Sequence, residues 1–194
     1  MSVSLKKGQK ISLSKESAGL SKLVIGLGWD EVQQKRSFFA AKPAAVDCDA
    51  SIIMLQNGKF VHKDDLVYFG NLKHKTGTVE HLGDNLTGHG DGDDEQILLD
   101  LSAIPVQYDR IMIVVNIYQP VERKQHFGLI QNAFCRLIDG KNNKEICKYN
   151  LTEDYSGMTA MIFGEVYRHD GEWKFNAMGQ GTKDVSLGQL AERW

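Results

Sequence analysis

Apolar residues occur along this chain in short runs that turn-forming residues separate, and no long helical period connects them. Short runs rich in β-branched and aromatic residues are typical of β-strands. Strands interrupted by turns along much of the chain favour an all-β fold, and we predict an antiparallel β-sandwich with short connecting and C-terminal helices. The predicted strands are Ile11–Leu13, Leu23–Leu27, Ala50–Leu55, Ile97–Leu101, Ile111–Tyr118, Phe134–Ile138, Glu145–Leu151, Met161–Arg168 and Glu172–Met178.

Three turn sequences predict hairpins between these strands. Asn57-Gly58 is the dipeptide most typical of a two-residue hairpin, and Phe60-Val61 is then expected to begin the return strand. The loops at 139–143 and 169–171 each place Asp-Gly between two strand-like runs.

Helical signals are few. Val121–Phe127, after Pro120, predicts about two turns that connect strands. Ser186 has capping-box spacing to Gln189 and predicts a short C-terminal helix, on which Leu187, Leu190 and Trp194 would share one face.

Composition limits the function. A chain of 194 residues is long enough for one domain with a sizeable core, so we expect residues 1–194 to form a single domain. The net charge of −2 gives no basic footprint for nucleic acid. We find no signal peptide, and the longest apolar run, Ile111–Val115, is too short to span a membrane. The three cysteines, Cys48, Cys135 and Cys147, form no CxxC pair and fit a reducing cytoplasm.

One segment is strongly acidic. Residues 83–95 contain five carboxylates, four glycines and no Lys or Arg. Carboxylate and carbonyl oxygens on a glycine-rich turn are the ligands that a hard cation prefers, calcium above all. The alternative is a solvated acidic loop, although a strand-like run follows at once.

The acidic segment does not have the spacing of an EF-hand, because a loop that starts at Asp91 has Gln96 at position 6 and Ser102 at position 12. The metal ligands in this segment are therefore expected to be supplemented by ligands from another segment. Asp47 and Asp49 stand two apart just before a strand, so that both carboxylates project to one side, and Asp30 is a further candidate.

The predicted metal ligands exceed the needs of one ion, so two adjacent calcium ions are expected. They are Asp47, Asp49, Asp84, Asn85, Thr87, Asp91, Asp93, Asp94 and Glu95.

The same segment resembles the signature of the TerD family of tellurite-resistance and stress proteins. The resemblance rests on Gly83-Asp84-Asn85-Leu86-Thr87-Gly88, Gly90-Asp91-Gly92-Asp93-Asp94-Glu95, Val3-Ser4-Leu5-Lys6-Lys7-Gly8, Gly26-Leu27-Gly28-Trp29-Asp30, Asp47-Cys48-Asp49-Ala50-Ser51 and Glu165-Val166-Tyr167-Arg168. It implies a calcium-binding β-sandwich that contributes to resistance to tellurite and related phage and colicin stresses. It also implies partners among other tellurite-resistance proteins, including a membrane-associated one.

We therefore expect a cytoplasmic, non-enzymatic calcium-binding protein. Two other classes stay open at this stage: a metal-dependent hydrolase, which needs an open coordination position and a base, and a calcium-bridged membrane-binding module. A thiol-based tellurite reductase needs a reactive cysteine pair, which the spacing of Cys135 and Cys147 does not supply. The six histidines show no zinc-binding spacing, and no nucleotide-binding or nucleophile-elbow motif occurs.

Overall fold

Two six-stranded sheets form the body of the protein in a computed structural model that describes residues 2–32, 45–83 and 92–194. The strands of the described part are β1 (Val3–Leu5), β2 (Lys10–Ser12), β3 (Lys22–Glu31), β4 (Cys48–Gln56), β5 (Leu66–Val67), β6 (Val79–His81), β7 (Glu95–Asp100), β8 (Tyr108–Ile117), β9 (Ile130–Asp139), β10 (Lys144–Asn150), β11 (Ala160–His169) and β12 (Glu172–Thr182).

The first sheet has the strand order β1-β10-β9-β3-β7-β6, and the second has the order β2-β12-β11-β8-β4-β5. Every pairing is antiparallel except that of β1 with β10. The predicted antiparallel β-sandwich is confirmed.

The main core lies between the two sheets. In β3 and β7, Ile25 pairs with Ile97, and both side chains are fully buried. In the second sheet, Ile52 and Ile113 are paired and equally buried. Burying a branched aliphatic side chain of this kind contributes about 1.5–3 kcal/mol.

A second apolar cluster covers the outer face of the second sheet. Ile53, Leu55 and Met112 are buried there against Leu190 and Ala191 of the C-terminal helix. Strands β4 and β8 are therefore covered on both faces, which explains why their sequences read as continuous apolar runs rather than as alternating ones.

The predicted turn at Asn57-Gly58 is confirmed, with φ of 52° and 73° and a bridge between Gln56 and Lys59. The predicted return strand at Phe60-Val61 is wrong. The amide of Phe60 donates instead to the carbonyl of Trp194 (3.1 Å), so Phe60 bonds to Trp194 and not to β4. The return to β4 comes later, at β5.

The helices are short: α1 (Leu13–Glu16), α2 (Pro120–Arg123) and α3 (Leu187–Ala191). The helix predicted at Val121–Phe127 ends early, because Lys124 takes a left-handed φ of 52°. The predicted cap of α3 is confirmed: Ser186 Oγ accepts from the amide of Gln189 (3.2 Å).

A buried hydrogen-bond network around Asp65 connects the segment before β5 to the loop before β6. Its Oδ1 atom accepts from Tyr108 Oη (2.8 Å), Lys75 Nζ (2.8 Å) and His74 Nε2 (3.3 Å). Burial by itself raises the pKa of Asp65, but these hydrogen bonds outweigh it and hold the pKa below its ordinary value.

We predict that Asp65→Asn lowers the free energy of unfolding by about 1–3 kcal/mol, because the neutral amide loses the ion pair with Lys75 and its NH2 group cannot accept from Gln56 Nε2 as Oδ2 does. A group whose pKa is lowered on folding contributes stability above its unfolded pKa, and this is lost as pH falls through the folded pKa. The difference between the parent and the variant should therefore shrink below about pH 4, as urea denaturation would measure.

The neighbouring Asp64→Asn is the matched control. Asp64 is half exposed and, among the described residues, forms an ion pair only with the exposed His62, so its substitution should change stability by less than about 0.5 kcal/mol. Equal losses in the two variants would mean that the buried network does not stabilise the fold.

Candidate metal centre

The acidic segment connects β6 to β7 at one end of the first sheet. Of the predicted ligands, Asp84, Asn85, Thr87 and Asp91 lie outside the described residues. The other five lie in the described part of the chain, and their positions follow from the strands that carry them.

Glu95 begins β7 and joins the two sheets. Its Oε2 atom accepts from the amide of Ala50 in β4 (2.7 Å) and lies 3.2 Å from His81 Nε2. The amide of Gly83 donates to the other ring nitrogen of His81, so the ring carries its proton on Nε2 and can donate it to Glu95. The side chains of Glu95 and His81 are both 1% exposed.

Asp94 is anchored to β3. Its carboxylate accepts from the amide of Trp29 (2.7 Å), and its own amide donates to the carbonyl of Leu27 (2.7 Å). These two bonds fix the last residues of the acidic segment against the end of β3.

Asp93 turns to the outer face of the first sheet, away from Glu95. Its carboxylate is bound by the guanidinium of Arg136 through Nε (2.6 Å) and Nη2 (3.1 Å), and it accepts from Gln96 Nε2 (2.8 Å). This ion pair raises the pKa of Arg136. The carboxylate lies directly over Gly26, where a Cβ atom would overlap it.

Asp47 and Asp49 stand at the start of β4 in the second sheet. Asp47 pairs with Arg123 (3.2 Å), and Asp49 lies opposite Asn116, whose Nδ2 is 3.5 Å from its carboxylate. Asp30 has a different partner. It is exposed, and its carboxylate accepts from Asn132 Nδ2 (2.8 Å).

The pKa of the Cys48 thiol reflects the negative charge at this end of the sandwich. Burial raises the pKa of this thiol well above the ordinary value, and the charges of Asp49, Glu95, Asp47 and Glu31 raise it further. The thiol is therefore held in its protonated form, which disfavours it as a ligand for a soft metal. The sequence interpretation missed Glu31, whose only signal was its place at the end of a strand.

Acids on or next to β3, β4 and β7 raise the pKa of Cys48, and the described predicted ligands all have protein partners. Within residues 2–32, 45–83 and 92–194, no three His, Cys, Asp or Glu side chains form a group that could hold an ion. An ion bound here would need further oxygens, and residues 84–91 are the acidic part of the chain that could supply them.

Comparison with known proteins identifies the family. The model of the TerD domain matches residues 1–194. The chain belongs to the TerD family. This TerD-family chain is 52% identical to the stress response protein SCP2 of Bacillus subtilis (strain 168) over 198 residues, which cover all of both chains. It is 46% identical to the tellurium resistance protein TerD of Serratia marcescens over 182 residues, 93% of this chain and 91% of the relative.

Solved structures show the same fold. A homologue of the telluride resistance protein TerD from Streptomyces coelicolor A3(2) superposes with a TM-score of 0.66 at 20% identity, over 90% of this chain and 98% of the homologue. In the part of this TerD-family chain that the structure describes, no helix is long and apolar enough to cross a membrane.

We predict that Gly26→Ala destabilises the protein by about 1–3 kcal/mol, because its methyl group would push Asp93 away from Arg136. In an Asp93→Ala background the same substitution should cost less, since the obstructing carboxylate is gone. Thermal unfolding of the four proteins in this double-mutant cycle measures the coupling.

Gly188→Ala in α3 is the control. The nearest atom to a Cβ there is 4.0 Å away, and alanine favours a helix, so this variant should be as stable as the parent or slightly more so. Additive losses for Gly26→Ala and Asp93→Ala would contradict the packing of Asp93 over Gly26.

Proposed function

We propose that this TerD-family chain is a calcium-binding, non-enzymatic stress-response protein that contributes to tellurite resistance. The observation that carries the proposal is the placement of Asp49, Glu95, Asp47 and Glu31, on or next to three strands, near the buried Cys48, whose pKa their charges raise. Negative charges at one end of the sandwich repel one another, and a bound cation would relieve that repulsion.

The donor set fits a hard cation. Asp47, Asp49, Asp94 and Glu95 offer carboxylate oxygens, and the protonated thiol of Cys48 offers no soft ligand. With the oxygens of Asp84, Asn85, Thr87 and Asp91, these residues would hold up to two calcium ions. Asp93 contributes less directly, because Arg136 already neutralises it, and Asp47 would have to exchange its ion pair with Arg123 for the cation.

Calcium would act as a structural ligand. It would order the acidic segment between β6 and β7 and present a defined surface to partners, which we expect to be other tellurite-resistance proteins, including a membrane-associated one. The relatives named for stress response and tellurium resistance support the biological role, and the cytoplasm is the expected location.

The cysteines support a non-enzymatic role. Cys48, Cys135 and Cys147 are all buried as free thiols. Burial raises the pKa of each, that of Cys147 to about 12. Thiols that stay protonated are poor nucleophiles, which argues against a thiol-based reductase.

We predict that calcium raises the melting temperature by several degrees relative to chelator. A ligand that binds only the folded state stabilises it by RT ln(1 + [L]/Kd), about 2.7 kcal/mol at a hundredfold excess over Kd. Differential scanning calorimetry of the parent in calcium and in chelator measures the shift.

Magnesium is the control ion. It should raise the melting temperature less, because it demands tight octahedral geometry and dehydrates reluctantly. Equal melting temperatures in calcium and in chelator would show that the acidic segment is a solvated loop.

We also predict that the native protein reacts very slowly with a thiol-specific reagent at pH 8 and releases three equivalents when it is unfolded. A folded triple variant of Cys48, Cys135 and Cys147 to Ala should lose stability through packing but keep calcium binding and resistance. A variant that folds and binds calcium yet confers no resistance would point to redox chemistry.

A further inference from the structure

A cavity of about 510 Å³ opens on the outer face of the second sheet, on the opposite side of β4 from the main core. It lies between α2 and α3, where Val121 and Leu187 face it from the two helices. Its volume is in the range of small-molecule sites.

The floor of this cavity contains buried polar atoms without partners. Ser51 is 0% exposed and Asn116 is 8% exposed, yet neither Ser51 Oγ nor Asn116 Oδ1 has a hydrogen-bond partner in the described structure. The amide nitrogen of Asn116 is directed to Asp49, which leaves its oxygen to accept. Buried polar atoms are nearly always paired, and both of these atoms can accept, so a ligand that donates hydrogen bonds would satisfy them.

The rim of the cavity is apolar and exposed. Large hydrophobic side chains surround it, and they stay partly in contact with solvent: Phe69 at 47%, Tyr118 at 38%, Val121 at 63% and Val185 at 46%. The rings of Phe69 and Tyr118 meet edge to face, with centroids 6.4 Å apart. A rim of this kind suits an aliphatic chain.

The lining is also negative. Asp49 and Glu122 contribute carboxylates, and no Lys or Arg is among the lining residues that the structure describes. Aromatic rings attract cations as well: the ring of Tyr118 already holds the guanidinium of Arg123, 4.9 Å from its centroid, and the ring of Phe69 lies beside it. A bare metal ion would use the oxygens of the floor but would leave the apolar rim without a role.

We propose that this cavity binds a small aliphatic amine in its protonated form. The ammonium group has three N–H donors, which Ser51 Oγ and Asn116 Oδ1 accept at the floor within the negative field of Asp49 and Glu122. The aliphatic stem packs against Phe69 and Tyr118. The site shares Asp49 with the proposed calcium centre, but the two unpartnered atoms at its floor are not among the predicted metal ligands.

Isothermal titration calorimetry with pentylamine tests this proposal, in calcium-free buffer with chelator at pH 7. Pentanol and pentanoate have the same chain length and are neutral and negative. We expect saturable binding of pentylamine, with at least about tenfold weaker binding of the other two. No binding of pentylamine, or equal binding of pentanol, overturns the proposal.

Variants test whether the amine binds in the cavity. Ser51→Ala removes a hydroxyl that has no partner in the described structure, so it should leave the melting temperature unchanged and weaken pentylamine binding about tenfold. Glu122→Gln, at an exposed position, should weaken it about threefold. Ser102→Ala and Glu192→Gln, at exposed positions away from the lining, are the matched controls. Parent-like binding in Ser51→Ala overturns the proposal.

Discussion

The hydrogen bond from the Ala50 amide to the Glu95 carboxylate holds the two sheets together at the acidic end of the sandwich. It is possible because, within the described residues, β5 pairs with β4 only at Ile52 and Ile53, so Ala50 can bond outside the strand ladder. The same carboxylate faces His81, so one buried side chain connects β4, β6 and β7. The position of the acidic segment, and with it the candidate metal centre, depends on this contact.

Three consecutive acids of the segment have three different environments. Asp93 is neutralised by Arg136 on the outer face of the first sheet, Asp94 accepts from the Trp29 amide, and Glu95 reaches across to Ala50. From the sequence, all three were equivalent candidates for calcium ligands. A backbone that bends at Gly92–Asp94 does not follow strand alternation, so spacing alone could not separate their directions.

The strands and most hairpins could be predicted, because short apolar runs and Asp-Gly or Asn-Gly turns are local signals. The contact of Phe60 with the carbonyl of Trp194 could not be predicted, since it joins distant parts of the chain. Glu31 and the atoms Ser51 Oγ and Asn116 Oδ1, which have no partner in the described structure, were missed for the same reason. The single domain over residues 1–194 and the ligand set stay predictions.

Calorimetric titration of calcium into the parent and into the double variant Asp47→Asn with Asp49→Asn tests the central claim most directly. That claim is that the sandwich holds ligands from two distant segments in place before the ion binds, which spares much of the ordering entropy. The account predicts affinity at least about tenfold weaker in the double variant, and weaker still in a peptide of residues 83–101. Parent-like affinity in either the double variant or the peptide would contradict it.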